Sequence, residues 1–161
     1  MATRAPLVLN AGQIQQLQSG DVLNVPVFSG GDVISLTNDN ASPAVIGTPV
    51  YSSAADHFNL AKGDASGTKD VIRIVQATSI SSATAGNVQL NGVVTATTGQ
   101  WDTAFGTSGG LTFNTRYYLS AATAGKGTVT APSTVGQYVV ELGIALSTTE
   151  LLLTLRSPIL L

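Results

Sequence analysis

Tyr138-Val139-Val140-Glu141-Leu142-Gly143-Ile144-Ala145-Leu146 leads through Ser147-Thr148-Thr149 into Glu150-Leu151-Leu152-Leu153-Thr154-Leu155. In the first run Tyr138, Val140, Leu142, Ile144 and Leu146 hold every second position, with Glu141 between them and Gln137 and Ser147 at the ends. A period of two is the mark of a half-buried strand. After the polar break, Leu151, Leu153 and Leu155 resume the alternation against Glu150, Thr154 and Arg156. The two runs read as an antiparallel hairpin with one apolar face. Val139, Ala145 and Leu152 fall on the other face, where contact with water would favour polar residues. That face is expected to be covered in part, by the N-terminal arm or by a second subunit. Upstream, Tyr117 and Leu119 sit in a strand closed by the turn Ala124-Gly125-Lys126-Gly127.

The middle of the chain has the same texture. Val50-Tyr51, His57 to Leu60 and the β-branched run Val71 to Val75 are short strands separated by Gly-, Ser- and Asp-rich loops. Asn87 to Leu90, Asn91-Gly92 and Val93 to Thr97 read as a two-residue hairpin, because Asn-Gly suits a turn whose central residues both take positive φ. Gly99 to Gly106 is the one place for a helical turn, with Trp101 and Phe105 on one face and Gly106 at the stop. Those two aromatics are expected to plug one end of a barrel. Short strands with turns every 8–12 residues imply an all-β fold, a compact β-barrel or sandwich of antiparallel strands over residues 47–161. Residues 1–46 differ. Their apolar runs, such as Leu7-Val8-Leu9 and Val22-Leu23-Asn24-Val25, are too short and too scattered to make a core. Fully extended, such an arm spans on the order of 150 Å, whereas a body of about 100 residues has a radius of gyration near 13 Å. The arm either reaches neighbouring subunits or adds strands to its own sheet.

Composition narrows the function. Only 10% of the 161 residues are charged, although 43% are apolar; an average soluble protein carries roughly 25% charged residues. Protein interfaces are depleted in Lys, Glu and Asp, so much of this surface is expected to lie against other protein. Seven scattered cations and a net charge of −2 argue against nucleic acid, whose binding rests on clustered Lys and Arg. With no cysteine, neither disulfides nor thiolate metal sites can form. The N-terminus lacks the basic start and apolar core of a signal peptide. No run reaches the 18 or so apolar residues of a spanning helix.

No catalytic, cofactor or metal residue survives inspection. His57, with Asp56 beside it and Ser52 and Ser53 near, invites a triad, but neighbours in a strand point to opposite faces. A single histidine without cysteine cannot build a zinc site. Asn38-Asp39-Asn40 lacks the spaced ligands of a calcium loop and reads as an Asx-rich turn. Glu141 and Glu150 lie on solvent faces of strands, with no cleft to make them a glycosidase pair. Gly63-Asp64-Ala65-Ser66-Gly67 lacks the ending of a phosphate loop. Trp101, Tyr117 and Tyr118 could stack on a sugar, although core or interface is the commoner use of such residues.

Arg4-Ala5-Pro6-Leu7-Val8-Leu9-Asn10-Ala11-Gly12-Gln13-Ile14-Gln15-Gln16-Leu17 resembles a segment recurrent in structural proteins of tailed phages. Gly47-Thr48-Pro49-Val50-Tyr51, Ala85-Gly86-Asn87-Val88, Asn91-Gly92-Val93, Tyr117-Tyr118-Leu119-Ser120, Gly143-Ile144-Ala145-Leu146-Ser147 and the terminal Pro158-Ile159-Leu160-Leu161 are similar, in that order, to a small β-barrel module of virion proteins. The resemblance implies a non-enzymatic, homotrimeric capsid decoration (cement) protein on the outer surface of the head. Its partners would be the major capsid protein and itself, with no cofactor, nucleic acid or membrane. The same module in tail or head fibres implies an alternative, binding of a host receptor or glycan.

Overall fold

The structure, a computed structural model, describes residues 32–161 together with two short strands ahead of them, β1 (Leu7–Asn10) and β2 (Gln13–Gln16). These two pair antiparallel, with Leu9 opposite Ile14. The remainder of the segment 1–31 lies outside the described residues, and with it the reach expected of the arm. From Val33 onward the segment supplies strands to the body itself.

The first half of the body is a closed barrel. Its strands are β3 (Val33–Asn38), β5 (Pro49–Ala54), β6 (His57–Leu60), β7 (Arg73–Val75) and β9 (Ala85–Gln89), while β4 (Ala44–Val45) and β8 (Ser79–Ile80) form a separate antiparallel pair. Around the barrel the order is β3-β6-β5-β7-β9, and β9 returns to β3 in an antiparallel ladder from Val33↔Gln89 to Thr37↔Ala85. The β3–β6 pair is parallel. Closure leaves these strands without a free edge. Leu36, Val50, Phe58, Val75, Ile80 and Val88 fill the interior. Asn38 is buried among them and fully engaged: its Nδ2 donates to the carbonyls of Ile80 at 2.9 Å and Ser42 at 3.1 Å, and its Oδ1 accepts from the Asn40 N–H at 2.9 Å. The Asx turn expected at Asn38-Asp39-Asn40 is therefore also a strap across the barrel end. Asn38→Ala should cost about 2–3 kcal/mol, since it orphans buried partners. Urea unfolding should show a lower midpoint at an unchanged slope.

The second half is a five-stranded antiparallel sheet, built from β10 (Gly92–Thr95), β11 (Arg116–Leu119), β12 (Gly127–Thr128), β14 (Glu141–Ala145) and β15 (Glu150–Leu153) in the order β10-β15-β14-β11-β12. A further pair, β13 (Tyr138–Val139) with β16 (Ile159–Leu160), is also antiparallel. The helix α1 (Thr98–Phe105) packs its Trp101, Ala104 and Phe105 into this half. Thr97 caps its start, exchanging hydrogen bonds with Gln100, and Gly106 ends it at φ 66°, a conformation that glycine adopts without penalty. Trp101, Phe105 and Tyr117 stack in series, with ring centroids 5.1 and 5.2 Å apart. They do not plug the barrel, whose interior is filled by its own strands and by Ala44 and Ile80 of the β4–β8 pair. They form a second core between the sheet and the outside of the barrel wall, from which Ile74 and Ala61 enter. Ile74 belongs to this core and its neighbour Val75 to the barrel core, so β7 is a wall common to both.

Two local expectations are overturned. Asn91-Gly92 does not close a hairpin: β9 pairs within the barrel, whereas β10 pairs with β15 in the sheet. Of the two residues only Gly92 has positive φ, at 82°, so the backbone is not that of the expected turn. Instead the chain crosses here from one half to the other, and Asn91 Oδ1 accepts the Asp32 N–H while Gln89 Nε2 donates to the carbonyls of Asn91 and Val93. The terminal hairpin is present as β14–β15, but its alternation breaks. Opposite Tyr117 and Tyr118 stand Gly143 and Glu141, which leaves Leu142 as an extra residue in a β-bulge. Past the bulge the faces exchange: Ala145 is buried with Val140 and Leu142, and Leu146 is 42% exposed. Gly143 is needed at this point, because a Cβ there would collide with the Leu152 carbonyl. Of the three residues expected on the outer face, Leu152 is half-buried and Val139 is half-buried in its pairing with β16, while Ala145 belongs to the core.

Candidate functional site

Catalytic and metal chemistry requires clustered polar side chains. The parallel β3–β6 pairing brings His57 beside Asp39, with Nδ1 2.6 Å from Oδ1, and not beside its sequence neighbour Asp56. Ser53 Oγ donates to the other oxygen of the same carboxylate at 2.6 Å. Hydrogen bonds from Ser53 and then from His57 hold the Asp39 carboxyl below its usual range. The order is thus serine–carboxylate–histidine. In a nucleophilic triad the imidazole stands between the other two and takes the serine proton; here the serine hydroxyl donates to Asp39 instead, and the cluster works as a strap between strands. Ser52 is occupied elsewhere, donating to the Ala54 carbonyl at 3.0 Å.

Asp102, in the second turn of α1, gathers the loop that follows the helix. Its carboxylate accepts from the Gly110 N–H at 2.8 Å, the Thr107 hydroxyl at 2.8 Å and the Gly109 N–H at 3.1 Å. The Gly110 N–H foremost, then the Thr107 hydroxyl, pulls its pKa down against the opposing effect of burial. A carboxyl whose folded pKa is depressed contributes stability above its unfolded pKa, near 3.9, and loses it as pH falls through the folded value. Asp102→Asn should therefore melt earlier than wild type at neutral pH, with the gap closing in melting curves recorded progressively below about pH 4.

On the outer face of the sheet Glu141 is a hub. It accepts from Arg116 at 2.6 Å and from the Thr154 hydroxyl at 2.7 Å, with Arg156 Nε 3.8 Å away. The Glu141 side chain is only 13% exposed, but the arginines are 52% and 69% exposed, so solvent screens both pairs. Glu150 lies at the far end of β15 from Thr154, opposite Thr95, and no acid pair across a cleft results. The residues weighed for stacking on a sugar are mostly interior: Trp101 and Tyr117 are fully buried, with the indole N–H on the Thr149 carbonyl and the Tyr117 hydroxyl accepting the Thr112 N–H. Only Tyr118 reaches the surface, half-buried opposite Thr128.

What the surface does present is apolar. Phe113, Val129, Val135, Ile159 and Leu160 are each more than half exposed. Val135 adjoins the β13–β16 ladder, where the Gly136 N–H bonds to the Leu161 carbonyl. Phe113 and Leu146 flank the hydrogen bond from Asn114 N–H to the Ala145 carbonyl. No signal in the alternation could have separated these side chains from core, since interface and interior share one pattern. Comparison with protein-family models, characterised proteins and solved structures found no match to this chain.

Proposed function

We propose that the protein is a non-enzymatic decoration (cement) protein of a phage head, a homotrimer that binds the assembled lattice from outside and stabilises it. The observation that carries this reading is the set of large apolar side chains left exposed, Val135 at 87% and Phe113 at 71% among them, on a chain with 10% charged residues. Protein–protein interfaces are depleted in charged residues and enriched in large apolar side chains. Binding only to the assembled lattice stabilises it by mass action, and symmetric copies make small contacts count through avidity. The resemblance of the segment from Arg4 to Leu17 to virion proteins supports the same assembly.

The test is co-sedimentation of the purified protein with expanded empty heads. Saturation at hundreds of copies per head and a raised head melting temperature are expected. Saturation at a handful, or binding to host cells or glycans without binding to heads, overturns the reading in favour of a fibre module. Val135→Asp should leave the protein's own melting unchanged, since substitutions at an exposed site stay within about 0.5 kcal/mol, while weakening trimer or lattice binding.

A further inference from the structure

Where the barrel meets the sheet, an open groove of about 530 Å³ runs past the Arg73 end of β7 and the segment after β15. Its apolar lining includes Ile72, which also packs against the barrel core, Leu155, which packs against the second core, and Leu90. Its charged lining is two arginines, Arg73 and Arg156, against one carboxylate, Asp70. Asp70 is already matched by Lys69 at 2.6 Å. Arg73 makes no ion pair among the described residues, and its Nε is buried without a hydrogen-bond partner. A buried N–H left unpaired is costly and rare in folded proteins. The Arg156 side chain is 69% exposed, and its one carboxylate contact among the described residues is the long 3.8 Å approach to Glu141 Oε2, while Arg116 and Thr154 both bond to Oε1. The groove is thus locally cationic on a chain of net charge −2, and its size and position on a seam suit a ligand.

We propose that this groove binds an acidic peptide segment of a partner protein, with an Asp or Glu carboxylate on the Arg73 and Arg156 guanidiniums and flanking apolar side chains against Ile72, Leu90 and Leu155. Guanidinium and carboxylate match as a two-pronged pair, and the apolar lining selects a peptide over a bare anion. The groove has this chemistry whichever assembly the protein joins, so the inference stands apart from head binding.

The experiment is NMR of the full-length ¹⁵N-labelled protein, following the Arg73 Nε–Hε signal. Three probes are titrated: N-acetyl-Leu-Asp-Leu-amide, its Leu-Asn-Leu counterpart, and inorganic phosphate alone. A saturable shift with the Asp peptide is expected, about tenfold weaker with the Asn peptide because one charge-assisted contact is lost. Arg156→Gln, at an exposed position that the fold does not need, should weaken the Asp peptide by a similar factor and reduce its salt sensitivity. Equal response to the two peptides, phosphate binding as tight as the Asp peptide, an unchanged affinity in Arg156→Gln, or no saturable shift at Arg73 each overturns the proposal.

Discussion

Trp101→Ala is expected to lower stability by about 3–5 kcal/mol, the usual loss for truncating a fully buried large aromatic. The indole is the largest of the fully buried side chains and belongs to the second core. It stacks on Phe105, which stacks on Tyr117, so its removal leaves one ring of the series facing a void. The Thr149 carbonyl also loses its partner at 3.0 Å, worth roughly a further 1 kcal/mol. Against a typical domain stability of about 5–15 kcal/mol this brings the variant close to unfolding at room temperature. Far-UV circular dichroism in urea measures it, because the variant lacks the only tryptophan. A loss below about 1 kcal/mol would mean that the core closes over the cavity.

Phe58→Ala should cost a comparable amount, about 3–5 kcal/mol, from the other core. Phe58 is fully buried inside the barrel, on β6 between the parallel partner β3 and the antiparallel partner β5. Its more informative consequence is cooperativity. Ile74 and Val75, adjacent on β7, are buried in different cores, so the barrel wall cannot loosen without disturbing the sheet half. Trp101 fluorescence, a probe located wholly in the second core, should therefore report the Phe58→Ala transition at the same shifted midpoint as circular dichroism. A fluorescence midpoint left at the wild-type value would show two independently folding halves.

These two cores also mark how far the sequence could be read. The helix was legible because its signals are local: the spacing of Trp101 and Phe105 on one face, and Gly106 at the stop. Strands and the all-β class were legible from alternation. Which strand pairs with which was not, since pairing is decided by distant partners. Asn91-Gly92 carries a strong local preference for a hairpin, yet β10 is claimed by β15 and β9 by β3, and those long-range ladders override the turn. The bulge at Leu142 is likewise invisible to period-two reading, because one inserted residue exchanges the faces without changing composition. Of the candidate site, His57 and the serine beside it were marked. Asp39 was legible only as part of an Asx-rich turn; its partnership with them arises through the parallel pairing of β3 and β6.

The crossing at Asn91-Gly92 also sets a timetable for biosynthesis. All five barrel strands lie between Val33 and Gln89, so the ribosome delivers that half whole before any of the sheet. The partner of β10, however, begins at Glu150, 55 residues after Thr95. At about 5–20 residues per second this delay is roughly 3–11 s, whereas strand pairing takes microseconds. Throughout that interval the Val93-Val94 segment is exposed on a nascent chain with nothing of its own to pair with. The exposed β10 is the point at which neighbouring nascent chains on one polysome would first associate wrongly, and slower translation of residues 96–149 would lengthen the risk.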